Sequence, residues 1–531
     1  MEDAPQAMQS KWDDTCRLLL GRELGPLNEY ANWLSALTEP ISTHSSISGR
    51  KVISAPTDYC DTAKWLAFPD VDFNKSFEPL NINEIKDIDS IAESIGERMH
   101  YAGSIVFGKS AQIIESSNIN DSIGIYRVGR LGDSKYVAYS TMCRFTENCF
   151  GSNFIGESRY CIRANDSFRN QRSFEIWRCQ SSFDICYSHA LTNCTSCFFS
   201  FNLWNRKYAI GNLELQKEKY EPIKQKLLEE ISEGLLSKKR APTLLEIVSK
   251  SRYEKPEIPK ISERIDANEA RDKSKIEEAF SKTSSILFGR ELEGGIDTYS
   301  KWLSRHTRPV IPAKSCASGK PTFIPNCAKY PELPRGRLLC LEESQVHGQS
   351  KRISPADAQN LSLKNAHEKI SPIAFFTVEF IEGQNTNVID CAISFDSSNC
   401  YLSTATVYAK YCAYSFWPRD SQYLFGSDSP FDSNFCMNIY SCTSQTRCFE
   451  IDCCGYCTDT YFSHNCENVN DSMFCFNKKN LRYAIGNAPL PQEEYKKVKT
   501  SILAQISDEL NSTKDLRYDI YNIACAGKKR D

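Results

Sequence analysis

The chain has 531 residues, with 64 Lys and Arg against 67 Asp and Glu and a formal charge of −3. That balance gives no reason to expect a nucleic-acid or polyanion binder. No run of eighteen apolar residues occurs, so no membrane helix is expected, and the stretch MEDAPQAMQSKWDD lacks the apolar core of a signal peptide. The expectation is a soluble cytoplasmic protein without a cofactor, long enough for roughly two to four domains.

Residues 1–99 begin with one or two helices, whose apolar positions include Trp12, Leu19, Leu24, Tyr30, Trp33 and Leu34, broken near Gly25 and Pro26. A Pro- and Ser-rich stretch follows, expected as irregular strands and loops capping what comes next. The run Gly21-Arg22-Glu23-Leu24 with Tyr30 and Trp33 returns as Gly289-Arg290-Glu291-Leu292 with Tyr299 and Trp302. Ser48-Gly49-Arg50 returns as Ser318-Gly319-Lys320.

Residues 100–212 and 375–487 divide into blocks of six, such as NCYLST, YCAYSF and RCFEID. The second position holds Cys, Thr, Pro, Leu, Ser or Ala, and the fifth is mostly Ser, as in the ladder from Ser104, Ser110 and Ser116 to Ser188 and Ser200. The third position alternates between blocks. One set is apolar: Tyr126, Ala138, Phe150, Ile162, Phe174, Cys186, Phe198 and Ile210, with Tyr401, Ala413, Phe425, Met437, Phe449, Tyr461, Met473 and Ile485 in the second stretch. The other set, including Arg419, Phe431, Thr443, Gly455, Glu467 and Lys479, is mixed to polar. So short a fixed period suits a parallel β-solenoid whose narrow interior takes small residues. Alternation makes the coil twelve residues, two blocks each; an eighteen-residue triangular coil is the alternative. About nine coils at ~4.8 Å each make a rod near 45 Å long.

The pattern of Cys at one inward position with Ser or Ala three residues on resembles the twelve-residue coils of insect antifreeze β-helices. That resemblance implies coil geometry only, since no flat Thr-x-Thr array is present. A Cys-rich solenoid closed by an Asn-x-x-x-x-Tyr-Ala-Ile-Gly-Asn strand and a Lys/Glu-rich helix is also similar to uncharacterised cysteine-rich solenoid proteins of archaea and poorly studied bacteria, a likeness that implies no activity.

The remaining segments are helices at 213–236 and 488–513, expected to close the rods or to lie on their apolar columns. A charged linker is expected at 237–274, a second cap at 275–374 and a tail at 514–531. The fold class is therefore mainly β: two tandem parallel β-solenoids, each with a mixed N-terminal cap and a C-terminal α-helix. The apolar columns are expected to pair the rods as a pseudo-dimer.

Three constellations carry possible chemistry. Cys453, Cys454, Cys457, His464 and Cys466 have zinc-ligand character, but the matching residues of the first half, Arg178, Cys179, Ser182, His189 and Leu191, do not. Asp184 with His189, and Asp459 with His464, are candidates for acid–base catalysis; Arg172 and Arg447 stand one coil away and offer the aspartates a stacked ion pair instead. Glu175 and Glu450 also match. No nucleophile elbow, phosphate loop or dinucleotide fingerprint occurs. The favoured expectation is a non-enzymatic scaffold or protein-interaction module that associates with a protein partner or itself. The alternatives are an enzyme or an anion- or small-ligand-binding protein with a site at the cap–solenoid junction, drawing on His44, Arg50, His306 or Lys320, and a thiol or zinc binder.

Overall fold

The computed structural model describes residues 4–38, 41–78, 87–96, 98–258, 271–327 and 329–525. It is sheet-rich, with a few helices. Strands from Val106–Phe107 to Leu213–Glu214 form a sheet of sixteen, and strands from Thr386–Ile389 to Ala488–Pro489 a sheet of ten. Beyond a thirteen-residue first step at Val106–Ile119 and Phe380–Ile393, partners in the parallel ladders of the two stacks lie twelve residues apart. Cys149 pairs with Cys161, Cys161 with Ser173 and Ser173 with Ile185; Val388 pairs with Cys400, Cys400 with Cys412 and Cys412 with Leu424.

The backbone explains the interval. Every third residue is left-handed, for example Asn399 (φ 52°), Leu402 (φ 44°), Ala405 (φ 57°) and Tyr408 (φ 50°). Each turns the chain between two extended residues, four times in twelve. The residue after each turn points inward, so Cys400, Ser403, Thr406 and Ala409 are all buried.

Ser and Cys share these inward positions for a hydrogen-bonding reason. Ser140 Oγ donates to the Ala138 carbonyl at 2.8 Å and accepts the Ser152 amide at 3.0 Å. Ser152 Oγ in turn accepts the Ala164 amide at 3.1 Å. Cys454 repeats the geometry with sulfur: its thiol donates to the Asp452 carbonyl at 3.2 Å and accepts the Cys466 amide at 3.4 Å. A small hydroxyl or thiol thus satisfies its own polar hydrogen inside a dry interior. The final Asn of each Tyr-Ala-Ile-Gly-Asn run ends the ladder. Asn212 accepts the Phe201 amide at 2.8 Å and donates to the Phe201 carbonyl at 3.0 Å, and Asn487 does the same to Phe476 at 2.9 and 2.8 Å. A side-chain amide stands in for the strand that would come next.

Each apolar column is buried under helices of its own half. Gln6–Leu20 and Lys217–Lys238 cover the first column, with Trp12 edge-on to Phe150 at 5.2 Å. Ser274–Phe288 and Gln492–Thr513 cover the second, with Phe280 against Phe425 at 5.3 Å and Lys499 over the Tyr461 ring at 4.9 Å. The long helices therefore lie on the columns. This corrects the expectation that the columns pair with each other: their apolar surface is already taken up by amphipathic helices, each covering about three turns of buried side chains.

Two other expected segments are packed. Residues 244–249 of the charged linker are a capped helix with Leu244, Ile247 and Val248 buried, and Leu516, Ile520, Tyr521 and Ile523 of the tail are buried against the second half. Residues 259–270 and 526–531 of those segments lie outside the described residues. A Cys60–Cys525 disulfide ties the tail to the first cap; the other described cysteines are not in disulfides. Among the described residues no helix is long and apolar enough to cross a membrane.

Candidate functional site

The two long sheets meet along a seam built largely from the first and third positions of the mixed-to-polar blocks. Asn118 Nδ2 donates to Cys453 Sγ at 3.0 Å, the Phe154 and Trp417 rings lie 5.0 Å apart, and Phe168 lies 5.7 Å from Phe395. As numbering rises in the first half it falls in the second, so the stacks run antiparallel. Each cap bridges the seam. The Ala102 amide donates to His464 Nε2 at 2.8 Å and Asn477 Nδ2 to the His100 carbonyl at 2.8 Å. At the positions 275 apart, the Thr377 amide donates to His189 Nε2 at 3.1 Å and Asn202 Nδ2 to the Phe375 carbonyl at 2.9 Å.

This arrangement answers where the sequence candidates lie. His189 and His464 are fully buried and hold the cap strands of the other half. His464 Nδ1 also meets Asp452 Oδ2 at 3.0 Å, and Tyr59 donates to the same carboxylate. Burial depresses His189 well below the ordinary histidine range, and the Arg178 charge adds to it. Asp184 and Asp459 each meet an arginine twelve residues earlier: Arg172 reaches Asp184 at 2.6 Å and Arg447 reaches Asp459 at 2.6 Å. Neither aspartate shares its site with its sequence-matched histidine. Cys453, Cys454, Cys457 and Cys466 are buried. Three of them bond to backbone carbonyls along the ladder, and Cys453 meets Asp452 and Asn118. Among the described residues no group of three or more His, Cys, Asp or Glu side chains is arranged to hold a metal. Glu175 and Glu450 accept the amides of Leu244 and Ile520.

The junction candidates are dispersed. His306 lies between Asp519 at 3.0 Å and Asp58 at 3.4 Å. Gly49 and Gly319 (φ 70° and 78°) turn the hairpins Ile41–Ser54 and Ile311–Ile324, leaving His44, Arg50 and Lys320 exposed at their ends.

The cap–sheet junctions hold two clefts, one of ≈ 550 Å³ and one of ≈ 280 Å³. They occupy corresponding places: Gly455, Tyr456, Glu467 and Lys479 of the larger stand 275 residues after Gln180, Ser181, Thr192 and Trp204 of the smaller. The smaller is filled from within. Gln180 donates to Glu382 across it, and Phe380, Phe395 and Phe168 pack in series at 4.9 and 5.7 Å. At the positions of Phe168, Phe395 and Gln180 the larger cleft has Thr443, Asn120 and Gly455. Two rings and a long amide are replaced by short groups, and the space they would fill is open.

The larger cleft has aromatic walls and a polar floor. Phe68 meets Phe73 and Phe107 edge-on at 5.8 and 6.5 Å on the cap side, and Trp417 meets Phe431 at 5.2 Å and 89° on the sheet side. Arg130, its side chain 9% exposed, reaches Asp428 at 2.9 Å; its Nε has no partner among the described residues. Burial opposes the Arg130 charge, but Asp428 together with Tyr521, Asp452 and Cys453 raises the guanidinium above its ordinary range. Arg144 pairs with Asp133 at 3.2 Å and lies over Phe431 at 5.6 Å. Lys479 pairs with Glu467 at 2.7 Å and lies over Phe73 at 4.6 Å. None of these was singled out from sequence as a site residue. The available signal was the departure of the second half from the first at matched positions, Gly455 for Gln180 above all. Family models, curated proteins and solved structures were compared with the chain, and none matches it.

Proposed function

We propose that the chain is a non-enzymatic small-ligand-binding protein, in which two twelve-residue β-solenoids run antiparallel as a pseudo-two-fold pair and present one open cleft. The carrying observation is the asymmetry of the clefts. A plain scaffold has no use for it: filling both junctions alike would bury more apolar surface and stabilise the frame. The larger cleft falls within the range of about 300–1,000 Å³ that holds small ligands, and it has their usual lining of aromatic walls and a few placed polar groups. The nearby buried acids and histidines are engaged in holding caps and tail, which favours binding over catalysis. The pairing that self-association would supply is already made within one chain.

Gly455→Gln tests this reading. A Cβ at Gly455 meets only Thr443 Cγ2, at 3.7 Å, and the backbone there is not left-handed, so the variant keeps the fold while placing the smaller cleft's amide in the larger. In a thermal-shift and native-mass screen of a metabolite library, the wild type is expected to bind members that the variant binds at least about tenfold more weakly. Equal binding by both proteins, or none by either, would overturn the proposal.

A further inference from the structure

The lining of the larger cleft carries the argument one step further, resting on the reading that this cleft binds a ligand. We infer that it takes a neutral oligosaccharide.

The charged groups of the lining exclude an anion first. Asp121, Asp133, Asp432 and Glu467 stand against Arg130, Arg144 and Lys479. Each of those three cations is within 3.2 Å of a carboxylate, so an anionic ligand finds no free counter-charge and meets a surplus of like charge. A ligand that both donates and accepts is what remains complementary. Carboxylates accept, the guanidinium and ammonium groups donate, and the Asn118 and Asn120 amides do both. A row of sugar hydroxyls has the same double character.

The rings decide the ligand's shape. Within each wall the rings meet near-perpendicularly: Phe68 to Phe73 at 69°, Phe68 to Phe107 at 72°, Trp417 to Phe431 at 89°. These contacting rings are not stacked, so each wall offers the cleft single faces and edges. A single aromatic face carries negative charge density and attracts the weakly positive C–H face of a saturated ring. A pyranose has that face on one side and hydroxyls around its rim. Aromatic residues on both the cap and the sheet side, over a space much larger than one water-bridged contact, suit a short chain of such rings. Glu467 and Lys479, paired at one end, and Asp121, whose Oδ1 accepts the Lys109 amide at 2.8 Å, frame the cleft and give hydroxyls both kinds of partner.

The test uses the full chain and three probe sets: neutral gluco-, galacto- and mannotrioses, the corresponding uronic-acid trisaccharides, and adenosine with other nucleosides. Saturation-transfer NMR followed by calorimetry reads the binding. At least one neutral trisaccharide is expected to bind with transfer strongest at its C–H protons. The uronic acids are expected to bind about tenfold more weakly or not at all, as are Phe431→Ala with the same sugar and Gly455→Gln. Unchanged urea midpoints for both variants separate loss of binding from loss of fold. Silence from every neutral trisaccharide at millimolar concentration, or equal binding to Gly455→Gln, overturns the inference. If a nucleoside or a library compound of another class binds the wild type and not Gly455→Gln, the carbohydrate inference fails and the ligand-binding reading stands. If nothing binds, both fail.

Discussion

Glu450 gives a direct check on the reasoning, because the cation that meets its counterpart in the first half is absent from the second. In the first half Glu175 is met by Arg163 Nε at 2.7 Å and by the Leu244 amide at 2.9 Å. In the second half Glu450 is met by Asn438 at 2.8 Å and by the Ile520 amide at 3.0 Å. The acceptor is kept and the cation is lost, since position 438 corresponds to 163. Burial lifts Glu450 from its ordinary 4.5 to about 7; Asp519 adds repulsion, while Asn438, His306 and the Ile520 amide oppose it. Between pH 4.5 and about 7 the folded protein therefore holds a proton that the unfolded chain has released, so stability falls as pH rises through that window. A shift of that size corresponds to on the order of 3 kcal/mol. The perturbation is Glu450→Gln, which cannot ionise. Urea unfolding of wild type and variant across this pH range gives the difference in stability at each pH. His306, where burial opposes the charge but Asp519 and Asp58 lift it to about 9, interacts with Glu450, but its folded-state titration lies above this window, so the trend below about pH 7 reads Glu450. The wild type is expected to lose ground steadily to the variant as pH climbs. A difference that stays flat, or that grows in favour of the wild type, would refute the account of Glu450 as a carboxyl buried without its cation.

Ser152→Ala removes the acceptor of the Ala164 amide in a buried ladder and is expected to cost about 1–3 kcal/mol in the same assay, whereas Ser152→Cys, which keeps the ladder geometry that Cys454 shows, is expected to cost clearly less. Trp12→Ala empties a fully buried site between Tyr30 and Phe150, and should lower stability by about 3–5 kcal/mol. Reduction of Cys60–Cys525 frees the tail from the first cap; a loss of roughly 2–4 kcal/mol is expected, with hydrogen exchange rising first at Ile520, Tyr521 and Ile523.

The interior of the sheets was legible because it is periodic. Cys, Ser and Ala recur where only a small side chain with a short hydrogen-bonding reach fits, so the twelve-residue interval could be counted from Cys400, Cys412, Cys436 and Cys448. The apolar columns were legible for the same reason, but what covers them was not. Periodicity shows that Phe150 and Phe449 face something apolar and is silent on whether that is a helix or another column. The seam was harder still. Its residues, Asn118, Arg130 and Phe154 against Cys453, Asp428 and Trp417, share no chemical type, because a contact between two different halves is selected pair by pair. His189 and His464 looked chemical beside Asp184 and Asp459; what they hold instead, the Thr377 and Ala102 amides, are backbone groups that no motif marks, and His464 meets a different carboxylate, Asp452. The cleft left its trace only as a mismatch between copies, which a search for repeats passes over.

The backbone sets the terms on which such a mismatch can exist. Four of every twelve residues are left-handed, and many are bulky: Tyr136, Tyr139, Arg163, Glu175 and Phe199 have φ between 49° and 56°. Non-glycine residues held there cost on the order of 1 kcal/mol or more each, and ladder hydrogen bonds return about 1 kcal/mol each. Burial outside the sheets adds to that return, as Tyr139 and Phe199 show, being left-handed and yet packed in the core under the helices. Helices, caps and the seam thus help to offset the left-handed turns, and every side chain given up at the seam weakens the whole. The larger cleft gives up the counterparts of Phe168 and Phe395, which are partly buried in the first half and contribute less there than a fully buried ring would. A sequence tuned for stability alone would have kept those rings at both ends, as it kept the histidine clamps, the terminal asparagines and the column helices at both. The halves disagree at a cost to the fold at Asn438, where Glu450 is left without the cation that Glu175 has, and at the larger cleft, and of these two the cleft leaves an open space.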